Sequence, residues 1–254
     1  MPHFDTPLGL FLLAIAGFIA ASINGFAGGG TLISFPVLIG AGLQETVANA
    51  TNAVALWPGS LASAVGFKKY FDDIKKELLY LTPPTILGSA IGAFLLVSTP
   101  KLVFKFIIPV LILTATLLLA FQKMMKPKHG EPSLPHWAAW VLQMLVAIYG
   151  GYFGAGMGIL MLAILGVASK GDIHRHNALK SILAIIINFS ASGILIYQGL
   201  VNPSAALAVM VGSIFGGYTS AKVSMKVSAD KLRMVIVVFG FVMTVWFAWR
   251  AFNP

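Results

Sequence analysis

Ten apolar stretches, at about 8–25, 30–42, 46–67, 77–98, 101–121, 137–152, 156–169, 177–199, 203–222 and 231–252, follow one another with only short polar or Gly/Pro-containing breaks between them. A water-soluble fold has no interior large enough to hide them. One helical crossing of a bilayer takes about 20 apolar residues. Hydrocarbon offers the backbone no outside hydrogen-bond partner, so each stretch is read as a helix. Composition agrees: 58% of the residues are hydrophobic and 10% are charged, where a soluble domain carries about a quarter charged residues. The expected fold class is an all-α polytopic membrane protein, a single integral membrane domain over 1–254 with about ten transmembrane segments.

Two of the stretches, 30–42 and 156–169, are too short to cross straight, and a glycine cluster precedes each: Gly28-Gly29-Gly30 and Gly154-Ala155-Gly156-Met157-Gly158. Adding 128 to a position carries Gly28 to Gly156, Gly30 to Gly158, Leu32 to Leu160, Asn49 to Asn177, Gly88 to Gly216 and Ala93 to Ala221. The same landmarks therefore recur in the same order along two halves of five segments. Repeat 1 is placed at about 8–121, a cytoplasmic linker at about 122–136 and repeat 2 at about 137–252. Isolated glycines such as Gly88, Gly92, Gly212, Gly216 and Gly217 are read as close-packing contacts between helices.

Charge gives the orientation of the two halves. Five crossings per half turn the second copy upside down. With the N-terminus outside, fourteen of the seventeen Lys and Arg residues fall in cytoplasmic loops, and only Lys101, Lys105 and Arg250 fall outside. That asymmetry is the positive-inside pattern. Equivalent loops also swap sides, since 68–76 is lysine-rich while its counterpart 197–202 is uncharged. Two inverted five-segment repeats with broken or re-entrant helices, and both termini extracytoplasmic, satisfy the count. The net charge of +9 is thereby assigned to loops, and nucleic acid is not an expected partner. Met1–Pro7 holds no Lys or Arg ahead of its apolar run, so the first stretch is expected to be retained rather than cleaved as a signal peptide.

The inventory of reactive groups narrows the chemistry. With no cysteine, thiolate metal sites and thiol relays are excluded. All eight Asp and Glu residues and all five His residues lie in loops or near stretch ends. A membrane enzyme, a metal or haem centre, and a carboxylate proton or cation relay all lose their ligands; no cofactor and no enzymatic activity are expected. Near the midplane stand donors without negative charge, which suit a small anion. The candidates are the glycine breaks (Gly28, Gly29, Gly30, Thr31; Gly154, Ala155, Gly156, Gly158), whose following helices begin with unpaired N–H groups, together with Asn24, Asn49, Asn52, Asn177 and Lys180. Asn52 maps onto Lys180 by the offset of 128, an amide in one half and a cation in the other. Alternatives stay open: Lys180 as a snorkelling side chain, Asn49 and Asn177 as helix caps. Trp57, Ser60 and Asn188 lie deeper, with packing read before substrate contact; Trp57 is kept among the substrate-binding candidates.

Interrupted helices in inverted halves are the pattern of secondary transporters. The run Asn24-Gly25-Phe26-Ala27-Gly28-Gly29-Gly30-Thr31-Leu32, with Pro36, Gly40-Ala41-Gly42 and Ala48-Asn49-Ala50-Thr51-Asn52, resembles the opening signature of the TauE/SafE sulfite exporter family. The run Gly150-Gly151-Tyr152-Phe153-Gly154-Ala155-Gly156-Met157-Gly158, followed by Asn177-Ala178-Leu179-Lys180, resembles its second signature, with Ala155 and Met157 interrupting the glycines. The resemblance spans nearly the whole chain. It implies export of sulfite or small organosulfonates across a bacterial inner membrane, by alternating access. The residues alone reach only a carrier or channel for a small inorganic or organic anion. The expected partners are that anion and the lipid bilayer, with a homodimer left open.

The topology is directly testable. In this cysteine-free chain, Gln198→Cys in intact cells should react with a membrane-impermeant maleimide, whereas Asp72→Cys and His129→Cys should be labelled only after permeabilisation. Equal labelling of 72 and 198 would defeat the inversion.

Overall fold

The structure is a computed structural model that describes residues 2–26, 28–121, 124, 134–171, 173–226 and 229–253, with the side chains of residue 26 and of 221–232 set aside. Ten α-helices account for nearly all of it: α1 (Pro7–Phe26), α2 (Thr31–Gly40), α3 (Glu45–Val65), α4 (Phe71–Ser98), α5 (Lys101–Ala120), α6 (His136–Tyr152), α7 (Met157–Ala168), α8 (Ile173–Tyr197), α9 (Pro203–Lys226) and α10 (Ala229–Phe252). A 3-10 turn, Lys68–Tyr70, leads into α4, and no strand occurs among the described residues. Each helix overlays one apolar stretch. The linker expected at about 122–136 falls almost wholly outside the described residues.

Not every stretch is a span in its own right. Five segments are long and apolar enough to cross a membrane: Pro7–Gly25, Lys68–Ser98, Lys101–Ala120, Ile173–Tyr197 and Arg233–Phe252. Two of the other helices, α3 and α9, have the length, but α3 is diluted by Asn49, Asn52 and several Thr and Ser residues, and α9 by Gly212, Ser213, Gly216 and Gly217. The shortest two, α2 and α7, have only 10 and 12 residues and turn back. The N–H of Phe4, before α1, donates to the carbonyl of Ala41, after α2, at 3.0 Å. Likewise the N–H of Leu134, before α6, donates to the carbonyl of Val167, near the end of α7, at 3.3 Å. Each long-short pair is thus a closed hairpin whose two ends lie on one side.

Packing follows from where small residues fall. The α1 helix lies along α9 and α6 lies along α4; α9 and α4 in turn cover α3 and α8, which meet each other centrally, while α5 pairs with α10. A Cβ placed on Gly212 would collide with the carbonyl oxygen of Ala14, one on Gly216 with that of Phe18, and one on Gly217 with that of Gly59. On the other side Gly88 and Gly92 press on the carbonyls of Met144 and Ile148. The isolated glycines are therefore packing residues, as expected. Helices in hydrocarbon gain nothing by hiding apolar surface from lipid, so close backbone approach and dispersion hold them together. Large apolar side chains point outward, among them Phe11, Phe94, Val110, Phe189, Phe215 and Val245, and the interior keeps Ser, Thr, Asn and Gln.

Gly212→Val should cost about 3 kcal/mol through overpacking and lower the melting temperature in detergent. Gly193→Ala, where an added Cβ meets nothing within 4 Å, should leave it unchanged or raise it slightly.

Candidate functional site

Both breaks are backbone turns that only glycine adopts without strain: φ is +74° at Gly28 and +92° at Gly29, and +77° at both Gly154 and Gly156. The turns meet at the centre of the molecule. A Cβ on Gly158 would lie 3.7 Å from the Cα of Gly28 and 3.5 Å from the Cδ of Lys180. Where a helix ends inside the protein, its last carbonyls need donors, and here each end is served from the opposite half. Lys180 Nζ on α8 donates to the carbonyl of Asn24 on α1 at 3.2 Å. Asn49 Nδ2 on α3 donates to the carbonyl of Tyr152 on α6 at 2.8 Å. Asn24 and Tyr152 are themselves 128 positions apart.

Between the breaks lies a cavity, partly open to solvent, walled by α1, α3, α8 and both turns. Among the described residues Lys180 is its one charged lining residue, and it is 3% exposed. Besides Asn24, its ammonium donates to Asn177 Oδ1 at 3.0 Å. The Asn177 amide is in turn oriented by the bond from its Nδ2 to the Ile173 carbonyl at 3.0 Å. Both acceptors are neutral. Carboxylates among the described residues form their ion pairs elsewhere: His3 with Asp5, Lys75 with Asp72, Arg175 with Glu77 and Arg250 with Glu45. A buried ammonium held only by dipoles leaves its charge uncompensated.

Neutral polar groups complete the wall. Asn52 donates to Thr31 Oγ1 at 3.5 Å, a long bond, while its own carbonyl oxygen is buried without a partner among the described residues. The N–H groups of Gly29 and Gly158, both lining the cavity, likewise have no hydrogen-bond partner among the described residues. The expectation that every N–H at the start of the short helices would be unpaired needs correction. Gly30 N–H donates to Asn24 Oδ1 at 2.7 Å and Met157 N–H to the Gly154 carbonyl at 3.2 Å. Each break closes part of its own donor set.

The expected site residues divide into two groups. Asn24, Gly28, Gly29, Thr31, Asn52, Gly154, Gly158 and Lys180 line the cavity, and the snorkelling alternative for Lys180 fails because its ammonium points inward to α1. The remaining candidates do not line it. Gly30 is wedged against the Ala20 carbonyl and Gly156 abuts Ala115. Buried Ala155 offers its carbonyl to the Tyr149 hydroxyl at 2.5 Å. Trp57 stacks edge-on against Phe189. Asn49 and Asn177 serve as caps and orienters. Residues passed over in the sequence are also present: Ser181, Phe153, Met157 and Ser63, together with Ser60 and Asn188, which had been read first as packing. Steps of four from Asn52 through Leu56 to Ser60, and from Lys180 through Ala184 to Asn188, follow one helix face. That periodicity was the available signal.

Comparison with known proteins agrees in extent. The family model for the sulfite exporter TauE/SafE matches residues 13–247. A "Probable membrane transporter protein" of Haemophilus influenzae is 27% identical over 245 residues, covering 93% of this chain and 94% of that one. "Probable membrane transporter protein ORF9" of Sinorhizobium sp is 26% identical, covering 90% and 88%. "Probable membrane transporter protein YfcA" of Escherichia coli K12 is 25% identical, covering 94% and 89%. No solved structure matches the chain.

Gly158 has an ordinary φ, and a Cβ added there would make only van der Waals contact with Lys180 and Gly28, so Gly158→Val should still fold in the absence of anion. It should lose the stabilisation that sulfite or a sulfonate confers, because the new methyls occupy the approach to Lys180. Undiminished stabilisation would remove the turn from the site.

Proposed function

This chain belongs to the TauE/SafE sulfite exporter family, and from that premise we propose that it exports sulfite or small organosulfonate anions by alternating access through the central cavity. The observation that carries the reading is Lys180: a buried cation, without a carboxylate, at the junction of two helix breaks. A compact oxyanion placed there would supply the missing charge and accept bonds from the ammonium, the Asn52 and Asn188 amides, Ser181 and the N–H groups of Gly29 and Gly158.

The proposed movement rests on two inverted repeats, α1–α5 and α6–α10. Their support is that the principal packing partners remain the same when the halves are exchanged: α1 with α9 becomes α6 with α4, α3 with α9 becomes α8 with α4, and the α3–α8 and α5–α10 pairs map onto themselves. The two hairpins and the two cross-half caps exchange in the same way. Rocking one half against the other would open the cavity to each side in turn. In a bacterial inner membrane with both termini outside, an inside-negative potential would drive an anion outward. The cavity wall has no acidic residue to serve as a proton relay, so uncoupled efflux is the simplest mode.

Purified protein in liposomes should take up labelled sulfite or a sulfonate with saturation, and unlabelled substrate on the far side should accelerate the flux. Flux without that acceleration would indicate a channel. Lys180→Gln should weaken binding by about 1–3 kcal/mol, the scale of a hydrogen bond to a charged group with its desolvation. Unaltered transport in that variant would sink the assignment.

A further inference from the structure

The cavity combines one positive charge, no negative charge and no second cation. Lys180 is the only ionisable residue in its lining; at the position related to it by 128 stands Asn52, neutral and 3% exposed, and Ser181 beside it is also neutral. We infer that the site is matched to a single net negative charge: its ligand is a monoanion with one oxyanion head and an uncharged tail. The inference rests on the cavity being the transport site and adds the charge class of what it carries.

The physical reason is the bilayer around the site. A monoanion beside Lys180 makes a neutral assembly, the least costly state in a medium of low dielectric constant. A dianion of the same size leaves one negative charge that only amides, hydroxyls and backbone N–H groups can face. An aminosulfonate has the converse difficulty. Its sulfonate can take Lys180, but its ammonium would be desolvated with no carboxylate to receive it, next to a fixed cation. The tail instead meets Leu56, Ala184, Met157 and Phe153, walls suited to a short hydrocarbon or to nothing at all.

The neutral complex has an electrical consequence. Loaded with a monoanion, the site moves no net charge in the membrane field; empty, it carries the charge of Lys180. Exchange of one anion for another is then insensitive to voltage, while net efflux moves one charge per turnover.

A two-carbon series isolates the charge: ethanesulfonate with one negative charge, taurine with an added ammonium and sulfoacetate with an added carboxylate. Titrated into the purified full chain at fixed ionic strength and mildly acidic pH, where sulfite is the hydrogensulfite monoanion and sulfoacetate still carries two negative charges, and read by thermal stabilisation and by competition against labelled sulfite, ethanesulfonate should bind tightest. Taurine and sulfoacetate should each be about tenfold weaker or more. Asn52→Lys, which adds a cation at the related position, should reverse the order of ethanesulfonate and sulfoacetate. Ser181→Lys makes the same test should Asn52→Lys not fold. Equal affinities for all three in the native protein would overturn the charge matching and leave the transport reading standing. Failure of all three, and of sulfite, to bind or be moved would overturn both.

Discussion

A helix that ends inside a membrane protein must find donors for its last carbonyls, and in this chain it finds them in the other half of the molecule. The carbonyl of Asn24 is held by Lys180, and that of Tyr152 by Asn49. These two bonds join positions 156 and 103 residues apart, so neither hairpin can complete its break without the opposite half of the chain. The central cavity is the space left where these obligations meet. Polar groups stand among its apolar walls because backbone that is not helical survives at this depth only beside polar partners.

Lys180 connects that structural duty with chemistry. The amide at the related position, Asn52, turns to Thr31, and the Tyr152 carbonyl is capped from one turn away by Asn49. The ammonium brings three donors instead, two of them engaged by Asn24 and Asn177, and a charge that no neighbouring carboxylate neutralises. In protein interiors such a charge is costly. Its retention at the meeting point of the two breaks is understandable when a ligand anion completes the pair during each cycle. The glycines divide the same way: those with left-handed backbone form the turns, and those in mid-helix let α9 and α4 approach their neighbours closely enough to hold the walls in place.

The ten helices were legible in the sequence to within a few residues, though α4 and α8 begin earlier, at Phe71 and Ile173, than the apolar stretches at 77 and 177; the two short helices and the glycine turns before them were legible as well. Asn24 was legible as a candidate because it sits one turn before the first break, and Asn52 and Lys180 because they are polar residues at positions related by 128; all three line the cavity. Asn49 and Asn177 were ambiguous. A side chain that caps a distant carbonyl and one that faces a ligand have the same local sequence, and only the position of Tyr152 or Lys180 tells them apart. Ala155 and Gly156 looked like parts of the anion cradle because they lie inside the motif, yet the turn directs one into the core and presses the other against Ala115. Ser181 carried the opposite error, unremarkable in a run of apolar residues; it and Asn188, read for packing before substrate contact, face the cavity because α8 turns that side toward α3.

What the sequence determined by itself is the class of the molecule and the location of its breaks. Hydrocarbon makes the same demand of every segment separately, that it satisfy its own backbone, so apolar length, glycine and charge placement are read locally. Tertiary structure alone decided which donors are spent and which remain available. A hydrogen bond across the two halves occupies Asn49, bonds within one half occupy Asn177 and the N–H of Gly30, and the ammonium of Lys180 is left uncompensated where it reaches across to Asn24, 156 positions away.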